Sequence, residues 1–131
     1  MSHLLHAESF KELVVYKKSR ELASEIFEQS KTFLKEEQYS LTDQIRRASR
    51  SIGAQIAESR AKRRYVKHFI SKLTDADGEQ LETQHWIDVA KDCGYLDINQ
   101  FEELANHCIE IGKLLNGMVI KADKFCKNYD R

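Results

Sequence analysis

The sequence predicts an all-α protein, an antiparallel up-down-up-down four-helix bundle, and three observations predict it. Proline is absent and only five glycines occur in 131 residues, so few residues break a helix. No hairpin dipeptide separates alternating apolar runs, because Asn116-Gly117 lies inside a helical pattern. Apolar residues instead recur every three or four positions through four long segments joined by short polar connections. A chain of this length holds one domain with a sizeable core.

Residues 1–9 read as a mobile lead-in and 128–131 as a tail, with the bundle over 10–127. The first helix is expected over about 10–34, with Leu13, Tyr16, Leu22, Ile26 and Phe33 on or near one stripe and Lys17, Lys18, Glu21, Glu25 and Glu28 outside it. The polar stretch 35–40 is the turn. The second helix is expected over 42–59, capped by Thr42 or Ser40, with Asp43 suited to its first turn. Its seam is Leu41, Ile45, Ala48, Ile52 and Ile56. The third helix, 64–92, carries Val66, Phe69, Leu73, Ala76, Gln80, Thr83, Ile87 and Ala90 in a three-four alternation. Gln80 and Thr83 make a polar layer in that seam, and Gly78 beside them costs about 1 kcal/mol relative to Ala. Gly94 supplies the stop, and Tyr95-Leu96 anchor the core end.

The fourth helix, 98–127, begins after Asp97 or Asn99 and is the most regular. Phe101, Leu104, Cys108, Ile111, Leu115, Met118, Ala122 and Phe125 keep one seam over more than three heptads, which suits left-handed bundle packing. Ile109, Gly112, Val119 and Ile120 lie off it. They form a second apolar surface, read as a contact between copies in preference to a wide single-chain core.

Lys and Arg total 21 and so do Asp and Glu, yet the charge is sorted along the chain. From Leu41 to Lys67, eight cations (Arg46, Arg47, Arg50, Arg60, Lys62, Arg63, Arg64, Lys67) face two acids, Asp43 and Glu58, for a net of +6. From Asp75 to Glu110, ten acids face Lys91 alone, for a net of −9. Such asymmetry implies either a charged partner or self-complementary patches. Three cysteines, Cys93, Cys108 and Cys126, form no C-x-x-C pair and read as reduced thiols of a cytoplasmic protein. The longest apolar run near the start, Leu13 to Tyr16, excludes a membrane span or signal-peptide core there.

Leu41-Thr42-Asp43-Gln44-Ile45-Arg46-Arg47-Ala48, Ser51-Ile52 and Ile56-Ala57-Glu58 resemble the pattern L-T-x-Q-I-R-R-A-x-x-S-I-x-x-N-I-A-E-G. That pattern belongs to the four-helix-bundle proteins encoded in intervening sequences of bacterial 23S ribosomal RNA genes. Phe10 to Leu13, Val15-Tyr16, Leu81 to Gln84, Ala90 with Gly94-Tyr95, and Gly112 with Leu115 to Gly117 extend the likeness over roughly residues 10–120. Gln55 and Ser59 depart from the usual Asn and Gly, and Asp77-Gly78 replace a Ser and an apolar residue. The resemblance implies a homo-oligomeric ring, a pentamer by count, with no established catalytic activity; association with ribosomal RNA or other nucleic acid is the family's usual conjecture, and no cofactor is expected.

The residues themselves nominate Arg46, Arg50, Arg60, Lys62, Arg63, Arg64 and Lys67 as phosphate contacts. For Arg46 and Arg47 pairing with the acidic 75–110 region is the stronger reading. Arg63-x4-His68 fits the loose R-x(4–6)-H spacing of helical HEPN ribonucleases. Eight arginines and five histidines make roughly one such match expected by chance, so it carries little weight. Metal readings fail on spacing. Glu82-x-x-His85 lacks the second such pair of a di-iron bundle. Asp75 to Glu79 lack the first and twelfth carboxylates of a calcium loop. His85 beside Trp86 is then a packing or interface residue.

Overall fold

The computed structural model describes residues 9–127; the lead-in over 1–8 and the tail over 128–131 lie outside the described residues. The architecture is all-α: α1 (Val14–Ser30), α2 (Asp43–Ala61), α3 (Val66–Asp92), α4 (Ile98–Ile120) and a short α5 (Ala122–Lys127), with no strand among the described residues. Adjacent helices pack in the cyclic order α1, α2, α3, α4, with α2 against α3 the most extensive contact and α1 closing on α4. That is the up-down-up-down bundle. No helix among the described residues is long and apolar enough to cross a membrane.

The core follows the seams. Leu22 and Ile26 of α1, Ile45, Ile52 and Ile56 of α2, Phe69, Leu73 and Ile87 of α3, and Leu104, Ile111 and Leu115 of α4 are sealed from solvent. Val15 and Ser19 join the α1 stripe, and Val66 leaves the α3 seam for the surface. The polar layer lies in the core: Gln80 donates to Asp77 Oδ1 at 2.9 Å and accepts from Gln84 Nε2 at 2.8 Å, while Thr83 donates to the Glu79 carbonyl at 2.8 Å. Each buried polar group is bonded within its own helix, which removes most of the cost of burying it.

The boundaries differ from the sequence expectation at several ends, α1 closing at Ser30 instead of 34, and three of the differences change how a helix starts or stops. The first helix does not begin at 10, because Leu13 is extended and separates a 3-10 turn, Phe10–Glu12, from α1. That turn is capped by Ser9, which accepts from the Lys11 N–H. Neither Thr42 nor Ser40 caps α2: residues Gln38–Thr42 form a π turn that runs into the helix, and Ser40 donates to Glu37 instead. The fourth helix breaks at Lys121, dividing the expected 98–127 into α4 and α5 while Ala122 and Phe125 stay in the core.

Elsewhere the stops are those the residue types demand. Gly94, at φ 81, donates to Lys91 O, and Tyr95 N–H reaches Ala90 O, a left-handed helix stop that glycine adopts without strain. Asp97 accepts from Gln100 N–H and Gln100 accepts from Asp97 N–H, a reciprocal cap for α4. Leu96 is buried, and Tyr95 stacks on Phe33 at 5.0 Å and donates its hydroxyl to Glu37 at 2.8 Å. This pins the α3–α4 corner to the α1–α2 connection.

Candidate nucleic-acid interface

The cations nominated from sequence divide into two groups, because α2 rises about 1.5 Å per residue and separates Arg46 from Arg60 by roughly 20 Å. At the first group, Arg46 donates from Nε to Ser30 Oγ at 2.8 Å and lies 4.7 Å over the Phe27 ring. Arg50 flanks the same ring at 5.6 Å and Lys31 at 4.9 Å. Attraction to the ring offsets part of the repulsion among the three cations. Arg47 points the other way, to Glu79 at 3.6 Å and to Glu82. This is the pairing with the acidic region that the sequence favoured for it. Arg46 differs: its partners are a hydroxyl and a ring. Glu82 is held below the usual carboxylate range by the Trp86 indole N–H, at 3.0 Å, and by Arg47.

The second group sits at the α2–α3 turn. Lys62, Arg64 and Lys67 are exposed, and Arg60 and Arg63 are half-buried, with Arg63 Nε donating to the Arg60 carbonyl at 3.1 Å. No carboxylate occurs from Ser59 to Thr74. The flanking acid, Glu58, is engaged by Lys72 at 2.7 Å, which lowers its pKa, with Lys62 a smaller contributor. The α3 start adds to the field: Tyr65 offers no side-chain cap and no acid lies in the first turn, so the positive end of a 27-residue helix meets the cationic run. Sequence reasoning missed Tyr65. It is 58% exposed with its ring edge-on to His68 at 5.3 Å. These two and Arg64, Val66 and Lys67 line a shallow cleft of about 480 Å³. The lone aromatic inside a cationic run was the available signal.

A larger groove, about 520 Å³, runs between α1 and α2, with Tyr16, Arg20, Phe27 and Arg50 on its walls and Gly53 at its floor. It was not anticipated. Arg20 is fixed by the Tyr16 hydroxyl at 2.9 Å. Of the residues nominated as a contact between copies, Ile109 and Ile120 are 46% and 72% exposed, and Val119 is half-buried against the core. Gly112 is turned inward to α3: a Cβ there would lie 3.0 Å from Gln80 Nε2. Its small size is therefore used within the chain.

Among the described residues no group of three His, Cys, Asp or Glu side chains is placed to hold a metal ion. Arg63 and His68 of the ribonuclease-like spacing contact the Arg60 carbonyl and the Tyr65 ring, respectively.

No curated protein matches the chain. The crystal structure of a protein of unknown function from the S23 ribosomal protein family of Bacteroides thetaiotaomicron superposes with a TM-score of 0.72 at 32% identity, covering 82% of this chain and 96% of that one. The family model described as 23S rRNA-intervening sequence protein matches residues 11–117, which include the α2 motif, the cationic turn and the α4 seam from Phe101 to Leu115. With the fold and that match in agreement, the chain belongs to the 23S rRNA-intervening sequence protein family.

Proposed function

We propose that this protein is a non-catalytic, cytoplasmic, homo-oligomeric helical bundle that binds ribosomal RNA or other nucleic acid through the turn between α2 and α3. One observation carries the reading: five cations from Arg60 to Lys67 with no carboxylate among them, three of them exposed, at one end of the bundle. The cations of such a patch displace counterions condensed on nucleic-acid phosphates, and that release drives binding at low salt. Arg46 and Arg50 are a secondary contribution, since both already rest on Phe27. The ribosomal description of the Bacteroides neighbour supports RNA as the polyanion. Exposed Ile109 and Ile120, with Val119 beside them, support self-association along α4, and the family resemblance supports a pentamer.

The test is RNA binding across a salt series, with light scattering of the same samples. If about four phosphates are engaged, log K falls with log salt at a slope near −3 to −4. Neutralising Lys62, Arg64 and Lys67 to Gln lowers that slope by about 2–3 and leaves the oligomer mass unchanged. If the triple variant instead dissociates the oligomer, the charge asymmetry serves self-assembly and the protein is a scaffold. Cleavage of the RNA, lost in His68→Ala, would overturn the non-catalytic reading.

A further inference from the structure

We infer that the α2–α3 turn reads unpaired nucleotides, with Tyr65 as a stacking platform for a base; this rests on the nucleic-acid reading above and names the class of strand. A purely electrostatic patch needs no aromatic group, and water disfavours an exposed one. Yet Tyr65, more than half exposed, stands in the middle of the longest cationic run in the chain. Its ring is not left to swing: His68, one helical turn on, meets it edge-on at 5.3 Å. The carbonyl of Tyr65 accepts from Phe69 N–H at 3.0 Å, and Phe69 is in the core and stacks on Phe125 at 5.8 Å. The backbone that carries the platform is thus tied to the bundle.

Exposed cations flank it in sequence. Lys62 lies three residues before the ring and Lys67 two after, both exposed and neither ion-paired among the described residues. An unpaired base offers its face to Tyr65 while its flanking phosphates meet these lysines. A base inside an A-form helix has both faces covered by its neighbours, and side chains cannot enter the deep, narrow major groove. The chemistry therefore selects loops, bulges or single-stranded segments over continuous duplex. Stacking discriminates weakly among the four bases, so the preference is for strand state over sequence.

Fluorescence anisotropy tests this with the full-length protein, a labelled 12-nucleotide single-stranded RNA and the same RNA annealed to its complement. Wild type is expected to bind the single strand at least fivefold more tightly. Tyr65→Ala is expected to weaken single-strand binding about tenfold and duplex binding less than twofold, while the salt slope stays unchanged. Tyr65→Phe keeps the ring and should retain wild-type affinity. Far-UV circular dichroism confirms that the variants fold. Equal loss on both RNAs, or no loss in Tyr65→Ala with binding otherwise intact, overturns the stacking role and leaves the electrostatic reading standing. Absence of binding to either RNA at low salt overturns both.

Discussion

Gly112 and Gly78 look alike in sequence, each a glycine inside a long helix, yet their surroundings give them opposite roles. A Cβ at Gly112 would meet Gln80 Nε2 at 3.0 Å, and Gln80 cannot retreat because it is bonded both to Asp77 and to Gln84. A Cβ at Gly78 would meet nothing within 4 Å. Gly78→Ala should therefore stabilise by the helix-propensity difference, about 1 kcal/mol, seen as a Tm rise of roughly 3–5 °C. Gly112→Ala gains the same propensity but overpacks the polar layer at about 1–3 kcal/mol, so its Tm should not rise and is expected to fall. In a Gln80→Ala background the penalty at 112 should vanish, and a double-mutant cycle by thermal denaturation checks it. The sequence alone could mark the polar layer. It could not reveal that a glycine about four turns into the next helix makes room for it.

At the scale of elements, α1 and α4 meet through a carboxylate that burial disfavours. Glu25 has its pKa raised, first by desolvation, with His107 opposing at 3.7 Å and Glu103 and Glu21 adding repulsion. One carboxylate oxygen of Glu25 is buried without a hydrogen-bond partner. Because the folded pKa lies above the ordinary value, the folded state holds more protons in the window between the two. Stability contributed by this group therefore falls as pH rises through that window and stays lower above it. Glu25→Gln should raise Tm at pH 7, with the gain shrinking as pH falls and gone below the ordinary carboxylate pKa. Lost attraction to His107, whose Nε2 lies 3.7 Å from the carboxylate, offsets part of this. Thermal melts of wild type and variant at several pH values decide it. A gain independent of pH would refute the assignment.

For the whole molecule, the two charge blocks are partly spent inside the chain. Arg47 clasps Glu79 and Glu82 across the α2–α3 contact, and Lys18 reaches Glu110 at 3.3 Å from α1 to α4. The turn from Arg60 to Lys67 carries five cations and no carboxylate in its sequence, while α4 presents Ile109 and Ile120 along its length. On the proposed self-association along α4, replacing both isoleucines by Ser should lower the mass in light scattering to that of a monomer, 15.3 kDa, while circular dichroism stays helical, since neither side chain belongs to the core. An unchanged mass would place the contact between copies elsewhere, and the groove between α1 and α2 would be the next surface to examine.

Helical period alone determined which residues form the core: the α2, α3 and α4 seams read from three-four spacing are buried with few exceptions, because apolar side chains at that period have one face to share. The Gly94 stop was equally local, whereas the sequence left the α4 start between Asp97 and Asn99 and the structure places the cap at Asp97. What the tertiary structure decided was where polar and charged side chains go. Arg46, Arg47 and Arg50 lie within one helical turn of sequence, yet they separate to Phe27 and to Glu79 with Glu82 because those partners arrive from different helices. The inward use of Gly112 has the same origin: Gln80, arriving from α3, takes the room a Cβ would fill, and no local pattern carries that information.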